Sequence, residues 1–258
     1  MSDRLLSFES IENFRDYGGY DGADGPVARG LLYRSAQHSR ASEQDLNAVA
    51  QLNLSTIVDL RRSSEREKDP SRLPQGWDGR MITSDLGGEG VAPHIRFLME
   101  EDLTPDSGRR YMAGTYARMP YEPAHIVLFK AHFKALAEGQ GASLIHCAAG
   151  KDRTGLLAAL THKVLGVSGD DLLADYLATN SAVRLEERAD KFAEWLYRRT
   201  GKRASNDAVV AFFGVEPDFL NGAWQAMAQS HGSVTAYMEQ VLGVDAVMTL
   251  AIRQRLTA

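Results

Sequence analysis

The sequence lacks the features of a disulfide-bonded, membrane-spanning or nucleic-acid-binding protein. Its 258 residues include one cysteine, so no disulfide can form within the chain. No segment approaches the roughly 18 to 20 uncharged apolar residues of a membrane span, and the N-terminal residues show no signal-peptide pattern. A formal net charge of -5 argues against a broadly basic surface for nucleic acid or anionic membranes. We therefore expect a cytoplasmic protein without stable membrane insertion, with export without a signal peptide left open.

What the chain does contain is an alternation of short strand patterns and longer helix patterns. Strands are predicted at residues 27–34, 56–58, 80–83 and 142–147. Helices are predicted at residues 41–54, in three pieces within 93–137, at 154–167, 168–180 and 181–202, and in two pieces within 217–244. This order indicates one α/β domain over residues 1–258, with a central, mostly parallel sheet flanked by helices.

The only cysteine, Cys147, lies between a strand pattern and a helix pattern that are joined by the loop AAGKDR. A strand, a tight loop and a helix N-terminus form a geometry that binds anions, because several backbone N–H groups converge. Arg153 can donate two parallel hydrogen bonds to a tetrahedral anion. The positive field of such a loop favours the thiolate form of a cysteine, which is a nucleophile. The loop opens with three small residues that let a ligand approach the backbone: Ala148, Ala149 and Gly150.

The stretch HCAAGKDRTG, residues 146–155, resembles the signature loop of the cysteine-dependent protein tyrosine phosphatase superfamily. With its Lys and Asp inside the loop, and with NFRDYGGY, LLYRSAQHSR and IVDLRRSSERE, it is similar to a bacterial subgroup of tyrosine, dual-specificity and lipid phosphatases. The resemblance covers roughly residues 10–70 and 140–257 and is weak over 75–135. It implies a tyrosine phosphatase-like fold in which Cys147 attacks phosphorus and Arg153 binds the phosphate oxygens. It further implies that Thr154 assists breakdown of the phosphocysteine.

The predicted site has two candidates for the general acid. Ordinary tyrosine phosphatases place an Asp on a loop upstream of the cysteine, yet residues 107–149 contain no Asp. In the resembled subgroup the Asp inside the loop is the expected acid, which here is Asp152. Asp106 is the alternative, just outside the empty interval. Asp152 can also simply cap the helix that follows, and the two roles are compatible.

The substrate remains open between phosphotyrosine, phosphoserine or phosphothreonine, and phosphoinositides. Lys151 adds positive charge beside the predicted phosphate site and is similar to the loop lysine of lipid phosphatases, whose substrates carry several phosphates. A solvated lysine is the alternative. The expected partners are a phosphorylated protein or a phosphoinositide, with inorganic phosphate as the product held in the loop. No cofactor or metal is expected, because the histidines show no ligand spacing.

Two further segments are predicted to border the site. Asp59 and Arg61 follow a buried strand, where α/β sheets place their sites, and the resemblance implies that their loop lines the phosphate pocket. A salt bridge in a surface loop is the alternative. Residues 170–215 are predicted to form a helical lid, as in the resembled subgroup. Here the alternative is a helix packed on the sheet with a solvated charged face.

Two other functions compete with a phosphatase. A rhodanese-like sulfurtransferase also uses a loop that starts with Cys and ends in Arg, but it carries sulfur as a persulfide. A catalytically inactive module that binds phosphorylated ligands is the second. The in-loop Asp152 and the hydroxyl of Thr154 favour the phosphatase, because neither alternative needs both groups.

Overall fold

The strands of the computed structural model are short, and most of them lie in one sheet. The structure describes residues 4–87, 90 and 92–257, so residues 1–3, 88, 89, 91 and 258 of the predicted domain lie outside the described residues. The strands are β1 (Arg15–Asp16), β2 (Asp21–Gly22), β3 (Gly25–Pro26), β4 (Leu32–Ser35), β5 (Leu54–Asp59), β6 (Arg80–Ile82) and β7 (Ala142–His146).

The main sheet has the strand order β1-β4-β7-β5-β6, and β2 and β3 form a separate hairpin. β4, β7, β5 and β6 run parallel, and β1 pairs antiparallel with β4. The predicted mostly parallel sheet is confirmed. Every residue of β7 is buried, as expected for a strand in the middle of a parallel sheet. The predicted strand 27–34 is shorter in the structure and begins at Leu32.

Helices make up most of the remaining chain. They are α1 (Glu43–Ala50), α2 (Ser63–Lys68), α3 (Pro93–Glu100), α4 (Pro105–Arg118), α5 (Pro123–Glu138), α6 (Asp152–Leu165), α7 (Gly169–Ala182), α8 (Leu185–Thr200), α9 (Asn206–Phe213), α10 (Pro217–His231), α11 (Val234–Gln240) and α12 (Ala246–Leu256), with a 3-10 helix at Met119–Tyr121. In the described part of the chain, none of these helices combines the length and the hydropathy needed to cross a bilayer.

Three helix starts can be compared with their predicted positions. The Ser42 hydroxyl accepts a hydrogen bond from the Asp45 N–H at 3.1 Å, and the Asp45 carboxylate accepts one from the Ser42 N–H at 3.2 Å, so α1 begins with the predicted cap. α8 begins at Leu185 instead of the predicted residue 181, because Arg184 has a φ of 48° and interrupts the helical conformation. α6 begins at Asp152, two residues before its predicted start.

The two faces of the sheet pack against different layers. On β5 and β7, Val58 and Ile145 join the larger core, which α5, α6 and α12 help to enclose, whereas Ile57 and Leu144 join a smaller cluster with α1. Helices therefore flank both faces, as the sequence predicted. β5 and β7 end side by side, with Asp59 paired to His146 in register. The carboxyl ends of these parallel strands thus meet at one edge, and the loop that begins at Cys147 leaves the sheet there.

Candidate active site

The loop between β7 and α6 is folded tightly against the end of β4. Cys147 is 2% exposed and belongs to the larger core. Gly150 has a φ of 65°, and a Cβ on this residue would lie 2.4 Å from the Ser35 carbonyl oxygen. Only glycine fits this conformation and this approach. The turn into α6 is closed by a 2.7 Å hydrogen bond from the Gly155 N–H to the Lys151 carbonyl.

Two side chains from the N-terminal part of the chain hold the loop's carbonyl groups. The Asn13 amide donates to the carbonyls of Ala149 at 3.1 Å and Gly150 at 2.9 Å. Arg34 also donates to the Gly150 carbonyl, at 3.0 Å. In a planar trans peptide the N–H points opposite to the C=O, so the N–H groups of Gly150 and Lys151 face the other side of the loop. Converging N–H groups of this kind suit an anion.

A buried ion cluster holds the side chains of Asn13 and Arg34 in place. Asp175 on α7 pairs with Arg15 Nε at 2.9 Å and with Arg34 Nη1 at 2.6 Å. Burial, together with the nearby charge of Arg34, lowers the pKa of Arg15 to about 10. Arg15 also donates to the Asn13 side chain. The motifs NFRD and LYRS thus brace the loop, which is a role that the sequence did not reveal for Asn13, Arg34 or Asp175.

The guanidinium of Arg153 is oriented by hydrogen bonds to a glutamate on another helix. Its Nη1 and Nη2 donate to the Glu65 carboxylate at 2.6 and 2.9 Å, and Nη1 also donates to the Leu60 carbonyl at 3.0 Å. Burial lowers the pKa of Arg153, but the hydrogen bonds to Glu65 and the nearby charge of Cys147 raise it by more. Burial would raise the pKa of Glu65, yet its bonds with Arg153 hold that pKa at about 2.

Glu65 was not among the predicted site residues. The local sequence shows only an acidic residue in the first turn of a short charged helix. That position predicts a helix start, not a partner on the signature loop.

Asp152 lies at the first position of α6, with its side chain 27% exposed. Its Oδ1 accepts a hydrogen bond from the Tyr116 hydroxyl at 3.0 Å and lies 3.4 Å from the Lys151 ammonium. Asp106 is exposed in the first turn of α4, and none of its described contacts reaches the loop. Of the two predicted acids, Asp152 is the one that the fold brings beside Arg153.

The Lys151 side chain does not extend into solvent. It is 8% exposed, and its ammonium donates to the carbonyls of Phe212 at 3.0 Å and Gly214 at 3.1 Å, at the end of α9. Carbonyl groups at a helix C-terminus attract cations. In this conformation Lys151 joins the signature loop to the predicted lid segment, so the geometry does not favour its predicted role as a ligand of a second phosphate.

Asp59 and Arg61 form a buried ion pair at the edge where the strands end. Arg61 Nη2 lies 2.7 Å from Asp59 Oδ2, and its guanidinium also donates to Gln37, Ser71 and the Asp69 carbonyl. Because Arg61 is 1% exposed and its donors are engaged within the protein, this geometry favours support of the rim over contact with phosphate. Their role as phosphate ligands stays a prediction.

The hydroxyl of Thr154 is fully buried, and it has no hydrogen-bond partner among the described residues. A buried hydroxyl without a partner is costly, which makes such a group a candidate for a functional contact. Thr154 is the third residue of α6, in its first turn, and its predicted role in breakdown of the phosphocysteine stays a prediction.

A cavity of about 170 Å³ is lined by Leu60, whose carbonyl accepts a hydrogen bond from Arg153, and by Arg62, Glu122, His125 and Leu128 among others.

Comparisons with known proteins show the family of the chain. A model of the tyrosine phosphatase family matches residues 6–258. A Cupriavidus necator chain, provisionally named a tyrosine-protein phosphatase, is 33% identical over 93% of this chain and 85% of that protein. The triple specificity protein phosphatase PtpB of Mycobacterium tuberculosis is 28% identical over 88% of this chain and 90% of PtpB. The crystal structure of TpbA from P. aeruginosa covers 77% of this chain and 87% of that chain, with 19% identity and a TM-score of 0.30, too weak a likeness to bear on the site.

The family match also runs through residues 75–135, where the sequence by itself showed little resemblance. The predicted family is confirmed, and the phosphatase is favoured over both a sulfurtransferase and an inactive binding module. The named relatives support a tyrosine phosphatase-type enzyme. The chain belongs to the tyrosine phosphatase family.

Proposed function

We propose that the enzyme hydrolyses phosphomonoesters through a phosphocysteine at Cys147, with Asp152 as general acid and Arg153 as the phosphate-binding arginine. The observation that carries the proposal is the loop itself. Its carbonyls are held from behind by Asn13 and Arg34, and Arg153 is aimed by Glu65. A thiol at the start of such a loop is placed to meet a bound phosphate.

The reaction follows in two balanced steps. In the first, the Cys147 thiolate forms a bond to phosphorus while the bond to the leaving oxygen breaks, and Asp152 gives that oxygen its proton. In the second, water attacks phosphorus and the sulfur–phosphorus bond breaks. The Asp152 carboxylate takes a proton from that water, and inorganic phosphate leaves. Arg153 and the loop N–H groups stabilise the charge on the phosphoryl oxygens in both steps, and the Thr154 hydroxyl assists the departing sulfur.

The proposed substrates are phosphotyrosine and, with it, phosphoserine, phosphothreonine or phosphoinositides. The name of PtpB supports a broad specificity, because that relative is described as a triple specificity phosphatase. The engagement of Lys151 by Phe212 and Gly214 supports placing phosphotyrosine first. Phosphate release from phosphopeptides and phosphoinositides in micelles, at matched concentration, tests this order. A phosphoinositide rate above every phosphopeptide rate would reverse it.

Two variants test the mechanism. Cys147→Ser should abolish turnover of 4-nitrophenyl phosphate, because a serine hydroxyl in this loop is a far weaker nucleophile than a thiolate. Wild-type-like turnover by this variant would contradict a phosphocysteine route.

Asp152→Asn tests the acid. The ratio kcat/KM reports the steps up to formation of the phosphocysteine, and it should fall most for substrates with poor leaving groups, which need the proton. An equal fall for a good leaving group such as 4-nitrophenol would indicate a structural role for Asp152. Asp106→Asn, the matched alternative, should retain wild-type values for both kinds of substrate.

We also propose a helical lid over the pocket and a cytoplasmic location for the enzyme. Residues 170–215 are proposed to cover the pocket within a single domain, and the contacts of Lys151 with the end of α9 support this. A cytoplasmic location is proposed on the sequence pattern described above, and fractionation of the source cells tests it.

A further inference from the structure

We infer that Tyr116 is a positioning residue for Asp152, and that Tyr176 in turn holds Tyr116. The inference rests on the proposed function, because it assumes that Asp152 supplies the proton to the leaving group. According to this inference, the hydrogen bonds of the two buried phenols determine which oxygen of the Asp152 carboxyl group carries that proton.

A chain of two hydrogen bonds leads from α7 to the carboxyl group. The Tyr176 hydroxyl donates to the Tyr116 oxygen at 2.8 Å, and the Tyr116 hydroxyl donates to Asp152 Oδ1 at 3.0 Å. The two rings meet edge to face, with centroids 6.2 Å apart. Burial raises the pKa of both tyrosines well above the usual value, so both hydroxyls keep their protons in any ordinary assay buffer.

This arrangement makes the two carboxyl oxygens unequal. Oδ1 accepts from Tyr116 and is also the oxygen close to Lys151, whereas neither described contact involves Oδ2. An oxygen that accepts a hydrogen bond from a phenol is the less favourable place for the carboxyl proton. The proton is therefore directed to Oδ2, which is then the oxygen that faces the leaving group and later the attacking water.

The packing around the chain holds it in place. Tyr116 and Tyr176 are both buried, and Phe219 packs against the Tyr116 ring. A Cβ on Gly155 would lie 3.1 Å from the Tyr176 ring, so α6 presses against that ring one turn after Asp152. Neither hydroxyl is required merely to fill this space, because a phenylalanine ring would pack in the same way.

Several other charged or titratable groups face this chain from the surrounding elements. They are Lys151 and Arg153 on the loop, His94 on α3, Tyr111 on α4, Arg34 on β4 and Glu216 before α10. A pH profile alone would mix their effects, so the test compares variants that leave all of them unchanged.

The test is Tyr116→Phe against Tyr121→Phe, which also loses one hydroxyl hydrogen bond, to the Ala226 carbonyl at 3.1 Å, but does not touch Asp152. Phenyl phosphate and 4-nitrophenyl phosphate supply a poor and a good leaving group. For Tyr116→Phe we expect kcat/KM to fall about tenfold with the poor leaving group and less than about twofold with the good one. Tyr121→Phe should match the wild type with both substrates.

Two further variants separate the possible outcomes. Tyr176→Phe should lower kcat/KM for the poor leaving group by a smaller factor, and it decides the matter if Tyr116→Phe does not fold. Asp152→Asn combined with Tyr116→Phe should be no slower than Asp152→Asn alone, since the phenol acts through the carboxyl group.

An equal loss with both leaving groups, or kcat/KM values for Tyr116→Phe that coincide with those of Tyr121→Phe, would overturn the inference while leaving Asp152 as the acid. If Asp152→Asn itself shows no dependence on the leaving group, the proposed acid is wrong and the inference falls with it.

Discussion

The pair formed by Glu65 and Arg153 shows how one residue can control both the site and the stability of the protein. Two parallel hydrogen bonds hold the guanidinium plane at the end of the loop. Bidentate pairs of this kind give geometry as well as energy. Because both side chains are largely removed from water, the pair is also a titrating element of the folded state.

The free energy of unfolding should depend on pH through Glu65. Its pKa in the folded protein is about 2, below the ordinary value of 4.5. A depressed carboxyl pKa stabilises the folded state above about pH 5, and this contribution disappears as the pH falls toward 2. The difference in unfolding free energy between the wild type and Glu65→Gln should therefore shrink by up to about 3 kcal/mol on going from pH 7 to pH 2. Urea unfolding at several pH values measures it.

Glu138→Gln is the matched control, since Glu138 is exposed and pairs only with Lys134 one turn away on α5. Its unfolding free energy should follow the wild type at every pH. A gap for Glu65→Gln that stays constant with pH would show that the pair contributes through packing and not through charge.

Residues that are contiguous in the sequence were predictable, and those that meet them from elsewhere were not. Cys147, Asp152 and Arg153 were found because one loop carries them all. Glu65 and Tyr116 come from other helices, and no local pattern connects either of them to that loop. Lys151 shows both situations. Its place in the signature loop was predicted from the sequence, but its hydrogen-bond partner on α9 was not.

At the scale of elements, α7 is the helix that joins two parts of the site. Its neighbouring residues Asp175 and Tyr176 point to different partners, the first to Arg15 and Arg34 behind the loop and the second to Tyr116 beside the acid. A change in α7 would therefore reach both the proposed phosphate-binding loop and the proposed proton donor.

Asp175→Asn should be strongly destabilising. The substitution leaves the buried Arg15 and Arg34 close together without a compensating charge, and breaking a buried ion pair from one side costs about 3 to 5 kcal/mol. Urea unfolding at pH 7 measures the loss. Asp170→Asn, at an exposed position in the first turn of the same helix, should cost less than about 1 kcal/mol. Similar losses for the two variants would mean that the buried cluster adds little to stability.

A side-chain cap did not by itself decide which helices the sequence located. α1 and α7 begin after the caps Ser42 and Ser168 and were predicted, whereas α9 and α12 begin after the caps Ser205 and Asp245 and were missed. α2 was missed as well, because it is short and charged and has no buried residue. The break at Arg184 could not be predicted, because nothing in the local sequence requires a positive φ at an arginine.

At the scale of the whole molecule, the ammonium of Lys151 links the signature loop to the C-terminal helices. α9 packs on α4 and α8, so this contact connects the loop to a layer of helices that is distant in the sequence. The strand order of the sheet is likewise a long-range property, since β4 and β7 are neighbours although more than a hundred residues separate them. Sequence patterns predicted a mostly parallel sheet but not that order.

Lys151→Met should expose the lid segment to protease. The variant keeps the aliphatic stem and loses two hydrogen bonds, so cleavage within residues 201–216 should become at least several-fold faster. Lys163→Met, at an exposed position of α6, should be cleaved at the wild-type rate. Equal cleavage of Lys151→Met and the wild type, with and without saturating phosphate, would count against a lid that closes on the loop.

The same variant distinguishes the two roles of the lysine. If Lys151 only anchors the lid, turnover of phosphotyrosine peptides and phosphoinositides should fall by the same factor. A loss confined to phosphoinositides would assign the ammonium to a second phosphate of the substrate.

The hydrogen bonds from Asn13 and Arg34 to the loop carbonyls affect the free energy of the proposed catalysis. Since folding itself fixes these peptide groups, a phosphoryl group arriving in the loop meets donors whose conformational entropy has already been lost. Little of the binding free energy is then needed to order the loop, and more of it can lower the activation barrier. If the loop binds phosphate as proposed, the N-terminal motifs that hold its carbonyls set how much of the affinity for phosphate is converted into rate.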